Sequence, residues 1–254
     1  MRQRSDDRTL PVGWGAALAV CLCFALAAGP ASAGPLDEEL ITVSQIGVAK
    51  GIAPNAMKGL IGKVQEAHTL GLRTEPLIDK IKEGFAKGIE PERIEQRLKL
   101  MIAHMKLAAQ LLKDTRTGAK NQTSAATQDR ALDVLAEALD RGVTPENVRA
   151  VQREAEEGNR EIRSDALAYG AKGMALMKEG GLPHDESHAL ISAALRRGVD
   201  STSLLDLARE LKQRGQKFRE KPALLREVRI AVEQGQHMEK ILGDVRARST
   251  VTTP

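Results

Sequence analysis

The chain has 254 residues, with 38 Lys or Arg against 34 Asp or Glu and a formal net charge of +4. Two cysteines and an aromatic content of 2% exclude a disulfide-stapled scaffold and remove the stacked rings on which sugar, cation and single-stranded nucleic-acid sites rely. A nucleic-acid-binding chain would also concentrate more positive charge than this, so no nucleic-acid partner is expected.

The first 33 residues read as a targeting segment. Arg2, Arg4 and Arg8 make a basic start beside Asp6 and Asp7, an apolar run follows from Trp14 to Ala28, and Pro30 precedes the small-residue site Ala31-Ser32-Ala33. That order is the pattern of a secretory signal peptide cleaved after Ala33. The run is shorter than the ~20 apolar residues of a membrane-spanning helix, which disfavours an uncleaved anchor. Leu18 and Cys21 are spaced as in a lipoprotein signal, but Val20 stands where a small residue is wanted, and Gln3 separates Arg2 from Arg4. General secretion to the periplasm or beyond is therefore expected, without lipidation and with no transmembrane segment after cleavage. Cys21, Cys23 and Trp14 all leave with the signal, so the remainder has no disulfide, thiolate ligand or cysteine nucleophile. Its aromatic residues are Phe85, Tyr169 and Phe218.

From residue 34 onward one motif recurs. Gly51, Gly88, Gly142, Gly198 and Gly235 share a small residue four positions before (Gly47, Gly84, Ala138, Ala194, Ala231) and an apolar one three before (Val48, Phe85, Leu139, Leu195, Val232). Six positions after them come Met57, Ile94, Val148, Leu204 and Ile241, and three after the first three come Pro54, Pro91 and Pro145. Glycine suits the left-handed residue that closes a helix. Thr144 and Asp200 stand at N-cap positions, and the prolines suit the first helical residue. Apolar residues one and six positions after the glycine make a hydrophobic staple. Each copy therefore reads as helix end, short corner, helix start.

Further corners are expected at 70–77, 156–162, 179–186 and 213–220. With no alternating β pattern, the fold class is all-α: a helical-hairpin repeat array of solenoid type, or a multi-helix bundle, with about ten or eleven helices. The spacing from Gly51 to Gly88 recurs from Gly198 to Gly235, within the roughly 20–45 residues of stacked structural repeats. The organisation expected is front repeats over 34–112, a polar loop or linker over 113–129, back repeats over 130–248 and a disordered tail over 249–254.

Four stretches carry candidate chemistry. In "MIAHM", Met101, His104 and Met105 could hold a soft metal, although Leu98, Met101, Met105, Ala108 and Leu112 also form a core stripe at helical spacing. Gly170 and Gly173 interrupt a helical segment, for which close helix packing is the favoured reading and a hinge or ligand approach the alternative, and Tyr169 beside them is a candidate partner contact. In "PHDESH", His184 and His188 lie four apart on one helical face and are the candidate metal ligands, but no third ligand is evident and Asp185 stands where the zinc-protease pattern has its glutamate base. From Asp206 to Arg248 basic residues outnumber acidic ones; the solvated side of amphipathic helices is the reading favoured, contact with an anionic membrane surface the alternative.

The expectation is a non-catalytic, cofactor-free binding scaffold for an envelope protein or peptide. A metal-handling or hydrolytic protein using His184 and His188, and a basic membrane-surface protein, are the alternatives.

Overall fold

The computed structural model describes residues 35–115, 124–157 and 162–247. The proposed signal 1–33 and the tail 249–254 lie outside them. All secondary structure among the described residues is α-helical, in twelve helices. They are α1 (Pro35–Ala49), α2 (Pro54–Thr69), α3 (Glu75–Ala86), α4 (Pro91–Thr115), α5 (Ala125–Asp140) and α6 (Pro145–Glu156). After them come α7 (Ser164–Glu179), α8 (His184–Arg197), α9 (Ser201–Gln213), α10 (Gly215–Glu220), α11 (Pro222–Glu233) and α12 (Met238–Ala247).

The corners are built by local chemistry. A glycine with positive φ closes seven helices, from 65° at Gly88 to 84° at Gly142, with Gly71 and Gly181 joining the five of the repeated motif. At each, the residue after the glycine donates its N–H back to the carbonyl five positions earlier, as Ile52 does to Gly47, Ile89 to Gly84 and Val199 to Ala194. This double-bonded closure satisfies carbonyls that the helix end leaves open. Thr144 and Asp200 then accept from the N–H groups of Asn147 and Ser203 to start α6 and α9.

The small residue four positions before the glycine also has a packing role. A Cβ on Gly47 would lie 2.4 Å from the Met57 sulfur, and one on Gly84 would lie 2.5 Å from Ile94 Cδ1. At these two corners the first large apolar residue of the new helix therefore folds onto the last turn of the old one. The staple is open on one side at α3–α4, where Ile94 is buried but Ile89 stays exposed.

The helices alternate between two layers. In the first, α1 packs on α3, α5 on α7, α7 on α9 and α9 on α12; in the second, α2 packs on α4, α4 on α6, α6 on α8 and α8 on α11. Between α3 and α5 the succession passes through α4, which packs on both. Gly51, Gly88, Gly142 and Gly181 turn the chain from the first layer into the second, whereas Gly71, Gly198 and Gly235 turn it back. One corner motif thus serves both edges of the array. A single apolar core runs between the layers from Leu40 to Val245, which is how stacked repeats bury faces that no single pair could bury alone.

One sequence expectation changes here. The segment 113–129 is not all loop: α4 continues through Thr115 and α5 starts at Ala125, leaving only 116–123 outside the described residues. Leu111 and Leu112 are buried and hold the end of α4, and Ser124 caps α5 by accepting from Thr127 N–H. The polar composition hid a capped helix start. The twelve helices among the described residues agree with the about ten or eleven expected; the corner expected at 213–220 contains the short, six-residue α10, anchored by buried Phe218.

The parallel helices α5, α7 and α9 end side by side, tied by a charged string. Arg141 donates to Glu179 at 2.6 Å and Lys212 donates to it at 2.5 Å. The hydrogen bond from Lys212 is the main cause holding the Glu179 carboxyl below its ordinary value; burial opposes it and Arg141 adds to it. At the exposed end of α3, Lys80 and Lys87 push the Glu83 carboxyl down to about 2. A depressed carboxyl contributes stability that is complete above its unfolded value and lost as the pH falls through the folded one. Denaturant titrations should therefore find Glu179→Gln less stable than the parent near neutral pH, by about 0.5–1 kcal/mol. For both Glu179→Gln and Glu83→Gln the difference from the parent should vanish under acid, for Glu83→Gln as the pH approaches about 2.

Candidate functional site

The corners α5–α6 and α7–α8 stack on one edge of the array and leave a cleft of about 350 Å³ between them. Gly142, Val143, Thr144 and Asn147 line one wall, Lys178, Leu182, His184, Ser187 and His188 the other, with Met174 at the floor. Val143, Met174 and Leu182 are buried, so an apolar base carries a polar rim. The stacking that makes the array also makes the cleft.

Lys178, in the last turn of α7, donates to the carbonyl of Gly142 at 2.6 Å, bridging the two corners. Proline at 183 opens α8, which sets His184 and His188 one turn apart with their rings stacked at a 6.2 Å centroid separation. The Asn147 amide lies 2.9 Å from His184 Nε2, and His184 Nδ1 lies 3.2 Å from Asp185. In the tautomer with its proton on Nδ1, His184 accepts from the side-chain nitrogen of Asn147 at Nε2 and donates toward the Asp185 carboxylate. His188 is the more enclosed of the pair, with 14% side-chain exposure against 62% for His184, and its Nδ1 faces Glu154 at 3.4 Å.

In this arrangement the Nε2 lone pair of His184, which a metal would need, is turned to Asn147. Among the described residues, no group of three or more His, Cys, Asp or Glu is placed to hold a metal ion. The two histidines do meet in one cleft.

A second, smaller cavity of about 160 Å³ lies where α4 meets α5. Met101, His104 and Met105 line it together with Arg97, Asp133, Glu137 and Asp140. Arg97 is paired with Asp140, which also faces His104 Nδ1 at 3.3 Å, and Arg73 is paired with Asp133. Burial is the largest influence on the Asp133 carboxyl and raises it; Arg73 works in the other direction. Glu137 takes Lys172 at 2.7 Å. These pairs tie α4 to α5 and α5 to α7, and Met105 is a buried core residue, so the cluster joins the front helices to the back ones.

Tyr169 is half-buried against the core and does not line the cleft. Gly170 and Gly173 face α8: a Cβ on Gly170 would meet Ile191 and Leu195 at 3.2 Å, and one on Gly173 would meet Ile191 Cδ1 at 2.9 Å. They form a packing notch. Asn147 and Lys178 are cleft residues that sequence reasoning missed, as is Glu154, which stands outside the lining and faces His188. The usable signal was there: Asn147 belongs to the corner after Gly142, and Lys178 and His184 flank the corner at Gly181, so pairing successive corners brings them together. No helix among the described residues is long and apolar enough to cross a membrane. No protein-family model, curated protein or solved structure matches this chain.

Proposed function

We propose that the protein is a non-catalytic, exported helical-repeat scaffold that binds another envelope protein or peptide through the cleft between corners α5–α6 and α7–α8. The observation that carries this reading is the cleft itself. Its volume falls within the roughly 300–1,000 Å³ of ligand sites, and an apolar base with a few convergent polar groups is their usual lining. The polar groups pair with one another in ways that orient them, without an activated nucleophile or an open metal position among them. Export rests on the basic start, apolar run and Ala31-Ser32-Ala33 site of the first 33 residues.

The test is in two parts. Mass measurement of the protein recovered from cells should find Gly34 as its first residue, in the envelope fraction; a chain retaining residues 1–33 in the cytoplasm would refute export. Co-purification from the envelope should recover a partner that Asn147→Arg, which fills the cleft mouth, releases while the helical content stays unchanged. A partner retained equally by that variant would remove the cleft from the account.

A further inference from the structure

We infer that the cleft takes a carboxylate carried on a short aliphatic group, either a free acid or the carboxyl terminus of a partner ending in an aliphatic residue. This rests on the reading of the cleft as the binding point and adds the chemistry of what enters it. The lining is one-sided: among the described residues, Lys178 is its only formally charged side chain, and no Asp or Glu lines it. The carboxylates nearest the imidazoles, Asp185 and Glu154, are outside the lining, each facing the Nδ1 of its own histidine.

The ammonium of Lys178 is held in place by the Gly142 carbonyl at 2.6 Å. That bond uses one of three N–H donors and leaves two for a ligand. Lys178 is exposed at the cleft rim, and a carboxylate entering there would complete a charge-assisted hydrogen bond that a neutral ligand cannot. Beneath it, Val143, Met174 and Leu182 form a buried apolar base against which an aliphatic group carrying the carboxylate would pack, a contact that a hydrated inorganic anion could not use. The stacked pair His184 and His188 forms the side wall, fixed from behind by the carboxylates that face it.

The experiment uses the whole chain with 15N-labelled histidine and follows the ring signals of His184 and His188 by NMR. The probes are 4-methylpentanoate, its amide, and the pentapeptide Ala-Ala-Ala-Ala-Leu with a free or an amidated carboxyl terminus. Saturable shifts with the two carboxylates are expected, at least tenfold weaker with both amides. Lys178→Met should weaken carboxylate binding at least tenfold and Lys178→Arg should largely preserve it, with unchanged helical content in both.

A free-terminus peptide binding at least tenfold tighter than 4-methylpentanoate assigns the carboxylate to a partner's terminus. Equal binding assigns it to a free acid, which upholds this inference while withdrawing support from the scaffold reading. Shifts that do not saturate, or amides that bind as well as acids, would overturn the inference. So would a Lys178→Met protein that binds like the parent. A partner lost with Asn147→Arg would still leave the scaffold reading standing in those cases.

Discussion

Gly215→Ala is expected to destabilise the protein by about 2–3 kcal/mol, although alanine is the better helix former by about 1 kcal/mol. Gly215 opens α10 in an ordinary helical conformation, so propensity alone would favour the substitution. Its surroundings reverse the sign. A Cβ there would lie 2.0 Å from the carbonyl oxygen of Gly180 and 2.8 Å from its carbon. Reciprocally, a Cβ on Gly180 would lie 2.8 Å from Lys212 Cα. These are backbone atoms, and no rotamer change moves them. The end of α7 and the junction of α9 with α10 touch main chain to main chain, and one methyl group would part them.

With about 2–4 °C per kcal/mol for a chain of this size, the melting temperature should fall by about 4–12 °C. Gly62→Ala is the matching control. Gly62 lies within α2 with nothing within 4 Å of the added Cβ, and the same substitution there should stabilise by about 0.5–1 kcal/mol. A thermal melt in which the two variants shift in the same direction would contradict the contact.

Ile191→Ala should cost about 3 kcal/mol, within the usual range for emptying a buried branched side chain. Ile191 is 1% exposed and sits in the notch made by Gly170 and Gly173 on α7. The more specific expectation concerns coupling. In the parent, Gly173→Ala places a Cβ 2.9 Å from Ile191 Cδ1, so the gain in helix propensity is offset by displacement of that side chain. In the Ile191→Ala background the obstruction is gone, and Gly173→Ala should recover about 1 kcal/mol. A double-mutant cycle measures the difference. Additive effects would mean that the two positions do not share the notch.

These two sites show what could be read in the sequence and what could not. Gly173 was legible as a packing residue because glycine in mid-helix costs stability that a close approach must offset. The corners were legible for a similar reason: glycine stop, N-cap and proline start act within about ten residues, and Gly51, Gly88, Gly142, Gly198 and Gly235 share the glycine stop with its flanking small and apolar residues, with proline after the first three and an N-cap residue at Thr144 and Asp200. Which edge each corner occupies was not legible. Gly142 and Gly198 look alike in sequence, yet one leads into the second layer and the other out of it, because identical closures can precede a helix in either layer.

The junction at Gly215 resembled a corner because its contact is with Gly180, far away in sequence. The candidate site divides in the same way. His184 and His188 declared themselves by their spacing, whereas Asn147 and Lys178 join them only once α5–α6 is stacked beside α7–α8. The polar segment 113–129 misled for the opposite reason, since composition outweighed the local capping signal at Ser124.

The account comes down to whether the cleft between successive corners is where this protein meets its partner. The direct measurement is site-specific photo-crosslinking in the native envelope, with the reactive residue placed at His184 on the cleft rim and, in a parallel strain, at the exposed Lys240 of α12. Mass spectrometry of the adducts reads out the result. The account predicts one dominant adduct from position 184 that is absent from position 240 and disappears when Asn147→Arg is added. The same adducts from both positions, or none from position 184, would contradict it.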